Sequence, residues 1–152
     1  MTQATYRGAT DADSSAVAML VERYWAFEHI EGFESKRVVS LLTEILGTPE
    51  HGAMWVAEKE GQLIGYLLAV YLWSLEYGGM MAQIDEFFVL PEIRSGGIGT
   101  GLLRYAEAEM TSSGLVHLEL QLAVTNIRGR IFYRHHGFHE RAGYELLDKS
   151  LR

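Results

Sequence analysis

The stretch Arg94-Ser95-Gly96-Gly97-Ile98-Gly99-Thr100-Gly101 follows the apolar run Ile84 to Leu90 and precedes Leu102-Leu103-Arg104-Tyr105-Ala106-Glu107. It reads as strand, glycine-rich turn, helix. Four glycines in six positions leave the backbone without Cβ atoms where a helix begins, so successive N–H groups can approach an oxygen-rich anion closely. The ligand implied is a phosphate or pyrophosphate. A nucleoside-triphosphatase loop needs Lys and then Ser or Thr after its last glycine, and here Leu102-Leu103 follow Gly101. A dinucleotide fingerprint needs two residues between its second and third glycines, whereas this loop has one and opens with an arginine. A solvent turn with no ligand needs fewer glycines beside a helix start.

The pattern that remains is Arg-x-x-Gly-x-Gly, carried by Arg94, Gly97 and Gly99 directly after a strand ending Val89-Leu90-Pro91-Glu92. It resembles the acetyl-coenzyme A loop of the GNAT N-acetyltransferase superfamily. A second resemblance lies in Asn126-Ile127-Arg128-Gly129-Arg130-Ile131-Phe132-Tyr133-Arg134-His135-His136-Gly137-Phe138. GNAT proteins commonly show Asn, Ala three residues later, an aromatic-Tyr pair and then Gly-Phe. Gly129 stands where Ala is usual, a departure worth about 1 kcal/mol of helix propensity. The two motifs occur in family order, and the resemblance spans most of Tyr6 to Leu151.

Periodicity supplies the rest of the architecture. A first strand is expected at Thr5 to Ala9, and N-cap chemistry in Thr10-Asp11-Ala12-Asp13 precedes a helix from Ser14 to Phe27. A second helix is expected from Glu34 to Leu46, stopping at Gly47 and Pro49. These two helices and their connection are expected to form a substrate-facing lid. Ala53 to Glu58, a turn at Glu60-Gly61 and Gln62 to Ser74 read as a hairpin, with Gly65 marking a bulge or a close backbone approach. Met80 to Val89 returns antiparallel. The helix from Ile98 to Ser113 then crosses over to a strand at Val116 to Leu122, which should run parallel to its predecessor. A helix from Ile127 to His136 and terminal strands at His139 to Ala142 and Tyr144 to Lys149 complete the chain. The fold class is α/β in the α+β sense: one domain over residues 1–152, with the mixed, largely antiparallel central sheet flanked by helices that the GNAT resemblance implies.

The resemblance implies direct transfer of the acetyl group of acetyl-coenzyme A, as co-substrate, onto a primary amine. Backbone N–H groups of Ser95, Gly96, Gly97, Ile98, Gly99 and Thr100 would hold the pyrophosphate, with Arg94 adding charge. The main chain of Phe88, Val89 and Leu90 would pair with the pantetheine arm, and the Val89 N–H would polarise the thioester carbonyl. Asn126 matches a residue that contacts the arm and also suits a helix N-cap. Tyr133 matches the tyrosine that protonates the departing sulfur; a phenol of ordinary pKa about 10 suits a thiolate. The acceptor's proton falls to Glu86 or Asp85. Alternation sends these two to opposite faces, with Asp85 sharing the face of Phe87 and Val89.

Composition narrows the partners. A net charge of −7 disfavours nucleic acid and suits a cationic amine. With no cysteine there is no thiolate catalysis, disulfide or cysteine-ligated zinc, and His117, His135 and His136 lack zinc spacing, so no metal is expected. Neither a membrane span nor a signal peptide is read, and the protein is expected to be cytoplasmic. Trp25, Phe27, Glu28, His29, Glu31, Phe33 and Glu34 mix aromatic and acidic side chains beside the acceptor region that the resemblance implies. Ser74-Leu75-Glu76 through Val89 is similar to bacterial acetyltransferases of polyamines and other small cations. A (poly)amine-like or amino-acid-like metabolite is the expected acceptor. A protein N-terminus or lysine, or a non-catalytic acyl-coenzyme A-binding module, are the alternatives. A homodimer is a family expectation.

Overall fold

The computed structural model describes residues 3–94 and 96–152, and the chain clusters into two compact units, 1–120 and 121–152. The larger unit is built on β1 (Thr5–Gly8), α1 (Ser14–Phe27), α2 (Ser35–Leu46), β2 (Gly52–Lys59), β3 (Gln62–Ser74), β4 (Gly79–Val89), α3 (Ile98–Ser112) and β5 (Leu118–Leu120). The five strands lie in the order β1-β2-β3-β4-β5, antiparallel except for the parallel pair β4/β5. The parallel pair is joined through α3, as a crossover requires.

Alternation along the strands divides the core. Met54, Val56, Tyr66 and Phe88 pack with Val17, Ala18, Leu20 and Val21 of α1 and Val38 and Leu42 of α2. Both helices are therefore walls of the core. The intervening strand residues Trp55, Ala57, Leu67 and Ala69 are buried too, and α3 contributes the buried Leu102, Leu103, Ala106 and Met110. The turn before α1 is fastened by Asp13, whose carboxylate accepts the Thr10 N–H at 2.7 Å and two Arg7 N–H groups at 2.8 and 3.0 Å.

Two one-residue bulges interrupt the ladders. Across β2/β3, Ala57 faces Gly65 and Glu58 faces Leu63, leaving Ile64 extra. A Cβ at Gly65 would stand 2.9 Å from the Phe88 carbonyl oxygen, so bulge and close approach are both present. Across β3/β4, Leu68 faces Glu86 and Ala69 faces Ile84, leaving Asp85 extra. Strict alternation fails at that point: Glu86 keeps the Phe88 side of the sheet, and Ile84 is turned to the other.

The smaller unit contains α4 (Ile127–His135), capped by the Asn126 carboxamide oxygen, which accepts the Gly129 N–H at 2.8 Å. The terminal strands expected at 139–142 and 144–149 do not form; no strand is assigned there. Gly143 at φ +89° breaks the extended path between the two segments. The strand expected at Val116 to Leu122 shortens to Leu118–Leu120, although Val116 N–H already bonds Met80 O and His117 O accepts from Ala82 N–H. Its ladder with β4 ends at the pair Ile84/Leu120.

Candidate functional site

β4 changes character along its length. From 82 to 84 it is paired on both edges; from 85 to 89 its β5 edge has no ladder partner among the described residues. Leu90 N–H donates to Ile64 O on β3 at 2.9 Å, and successive amides of a strand point to opposite edges. The Val89 N–H and C=O therefore point toward the open edge. The carbonyl is engaged there by Arg94 Nε–H at 2.9 Å. An acceptor atom laid along this edge would meet the Val89 N–H.

The chain then turns through the 3-10 segment Pro91–Ile93 into the glycine loop. Glu92 in this turn accepts two N–H bonds from Arg23 of α1, at 2.9 and 3.0 Å, tying the loop's entry to the helix layer. Gly97 N-caps α3 at φ +78°, a left-handed conformation that favours glycine, and the first intrahelical bond is Gly101 N–H to Gly97 O. The amides of Ile98, Gly99 and Thr100 thus occupy the first turn of a 15-residue helix, the end that favours an anion. Gly101 serves packing instead: a Cβ there would overlap the Tyr6 phenol of β1. Ser95, expected among the phosphate-binding amides, lies outside the described residues. Arg94 does more than add charge, since its guanidinium carbon sits 5.3 Å from the Phe27 ring centre and 5.5 Å from that of Phe88.

The acidic pair occupies the β4 bulge. Glu86 is half-buried; its Oε2 accepts the Trp25 indole N–H at 2.7 Å and its Oε1 accepts the Tyr66 hydroxyl at 2.8 Å. Burial holds its carboxyl above the usual carboxylate range; the two donors lower it and neighbouring Asp85 raises it. Desolvation raises Asp85 as well. Burial, with the charges of Glu28, Glu86 and Asp85, pushes the Tyr24 phenol up to about 12. Two carboxyls with raised pKa beside aromatic rings have the chemistry to attract an ammonium group and to receive a proton.

Trp25 and Tyr66 were not among the candidate residues read from the sequence. Trp25 had a signal, lying in the aromatic and acidic stretch that follows α1's core positions; Tyr66 had none. Within the smaller unit, Tyr133 packs edge-on against Phe132 and Phe138, each with ring centres 5.3 Å apart. Asn126 is the α4 cap. Among the described residues no three His, Asp or Glu side chains group as a metal site requires.

The model of the acetyltransferase (GNAT) family matches residues 17–138, a span that includes both motifs. The chain belongs to the GNAT acetyltransferase family. It is 31% identical over 118 residues to an uncharacterised N-acetyltransferase of Archaeoglobus fulgidus, covering 77% of this chain and 80% of the relative. It is 32% identical over 90 residues to the aminoalkylphosphonate N-acetyltransferase of Salmonella typhimurium, covering 59% and 54%. An aminoglycoside N-acetyltransferase solved in complex with CoA superposes with a TM-score of 0.84 at 19% identity, over 98% of this chain and 96% of that one. The fold is thus the GNAT fold, and the protein is an acyltransferase whose acetyl donor is acetyl-coenzyme A. No helix among the described residues is long and apolar enough to cross a membrane.

Proposed function

We propose that this GNAT acetyltransferase moves the acetyl group directly onto the primary amine of a small cationic metabolite, polyamine-like or amino-acid-like. The observation that carries the reading is the paired carboxylates, Asp85 and Glu86, presented on a bulge beside Trp25 and Tyr66. A cationic acceptor gains from that charge. A phosphonate-bearing amine, the acceptor class in the Salmonella relative's name, would be repelled by it.

The roles follow the chemistry each group can perform. The first amides of α3, with Ser95, Gly96 and Gly97 before them, hold the pyrophosphate, and Phe88, Val89 and Leu90 line the pantetheine arm. A thioester carbonyl accepts and cannot donate, so it suits an edge position whose N–H points outward while its carbonyl is already taken by Arg94. Glu86 receives the acceptor's proton, Asp85 supplies charge, Tyr133 protonates the leaving sulfur, and Asn126 contacts the arm while capping α4. Residues 1–152 act as one GNAT domain, cytoplasmic and homodimeric; sedimentation and cell fractionation test those last two points.

The deciding experiment is release of free coenzyme A thiol with a panel of spermidine, thialysine, aminoglycosides, aminoalkylphosphonates and peptides bearing free N-termini or lysines. Turnover with small cationic amines is expected. Turnover with peptides alone would replace the acceptor class. Acetyl-coenzyme A binding, seen as thermal stabilisation, without turnover of any amine would mark a non-catalytic binding module.

A further inference from the structure

Glu86 is held from two directions. Trp25 reaches it from α1 and Tyr66 from β3, and each donates to a different carboxylate oxygen. Tyr66 is fully buried, so its hydroxyl position is set by packing. Trp25 is half-buried, and its indole is buttressed edge-on by Phe33, ring centres 6.0 Å apart at 87°, just before α2 begins. Indole N–H is a donor only, and a phenol beside an ionised carboxylate donates to it. Each carboxylate oxygen has two lone pairs; among the described residues one on each is occupied and one on each remains.

We infer that Trp25 and Tyr66 are positioning residues for acetyl transfer: together they clamp both oxygens of Glu86 and fix the direction from which that carboxylate takes the acceptor's proton. The inference rests on the acetyl-transfer reading. In the step concerned, the amine nitrogen forms its bond to the thioester carbonyl carbon and its proton passes to a remaining Glu86 lone pair, directly or through a water. The carbon–sulfur bond then breaks, and the thiolate takes a proton from the acid.

The clamp also acts on acidity. The titratable groups that face Glu86 are Asp85 on its own strand, Tyr66 on β3 and Tyr24 on α1, with Glu28, the C-cap of α1, acting on Tyr24; Arg94 lies one ring away, over Phe88. Burial and Asp85 disfavour the charged carboxylate, and the two donors oppose them. Removing a donor therefore moves the Glu86 pKa upward. A base works only when ionised, so the acid limb of kcat/KM must move to higher pH in the same direction.

The test compares wild type, Trp25→Phe, Tyr66→Phe and Glu86→Gln with whichever amine the panel identifies. Each of the first two variants should shift the acid limb upward, losing several-fold in kcat/KM on the limb and recovering most of it at higher pH. Glu86→Gln should abolish the limb. A merely structural role would lower the rate equally at all pH values, and limbs that coincide with wild type would overturn the inference. A second readout needs no turnover: the Trp25 indole N–H resonance, identified by its loss in Trp25→Phe, should titrate with pH in wild type and not in Glu86→Gln. Failure of that resonance to titrate in wild type overturns the clamp, whereas failure of every amine to react overturns the acetyl-transfer reading instead.

Discussion

The two bulges on the central strands are built alike and used differently. In β3 the extra residue is Ile64, buried, with Gly65 making room for the Phe88 carbonyl and the Ile64 carbonyl taking the Leu90 N–H. Every group at that bulge is absorbed by packing. In β4 the extra residue is Asp85, next to Glu86, and both carboxyls are held less acidic than usual by burial. The first bulge shapes the strand; the second displays charge on it. The same backbone irregularity thus lends itself to stability or to chemistry according to whether its side chains are apolar or ionisable.

Substitutions at the two bulges should separate these uses. Glu86→Gln is expected to lower kcat by about 100-fold or more, the scale of a lost general base. Because the folded-state pKa of Glu86 is raised, its charge opposes folding at neutral pH, so the same variant should melt slightly higher than wild type. A fall in both activity and melting temperature would make Glu86 a structural residue. Gly65→Val should do the reverse, costing about 2–3 kcal/mol in denaturant unfolding while activity per folded molecule stays within a few-fold of wild type. A collapse of activity in the folded fraction would give the β3 bulge a catalytic part.

A third carboxylate sharpens the contrast with its opposite sign. Hydrogen bonding to Arg7 holds Asp13 down to about 2, outweighing its partial burial. Its contribution is present above the unfolded value of 3.8 and is lost as pH falls toward about 2. Asp13→Asn should therefore cost about 1 kcal/mol at pH 7, and the gap from wild type should close in urea titrations repeated down to pH 2. The smallest effect is expected at Gly129. A Cβ there would stand 2.8 to 3.0 Å from the Asn126 carboxamide, so Gly129→Ala gains helix propensity and displaces the cap. The net change in melting should stay below about 1 kcal/mol, and a clear stabilisation would show that the cap adjusts freely.

What could be read in advance follows from how local each signal is. The helices at 14–27 and 98–112 and the hairpin at 52–74 announce themselves through periodicity, caps and a tight turn, all contained within a few residues. The Gly65 bulge was legible because a glycine weakens an apolar strand unless a bulge or a close backbone approach requires it. The Asp85 bulge was not: a bulge exists only relative to a partner strand, and nothing in Ile84-Asp85-Glu86 reveals which residue of β3 each will face. The expected opposition of Asp85 and Glu86 followed from unbroken alternation, and the ladder breaks it there. The bond from Trp25 to Glu86 spans 61 positions, beyond any local pattern. The departure at Gly129 looked like a weakened helix until the space it leaves for Asn126 was visible.

Arg94 has a bearing on the protein before any donor arrives. A strand edge with outward N–H and C=O groups is a template for another chain, and proteins guard such edges with charge or cover. Among the described residues of the larger unit, β4 has no ladder partner on its β5 edge beyond Ile84, and the Arg94 side chain closes its Val89 carbonyl while lying against the Phe27 and Phe88 rings. An arginine so placed would act as a guard against self-association, whatever else it binds. Loss of that arginine would first be felt as aggregation in the empty enzyme.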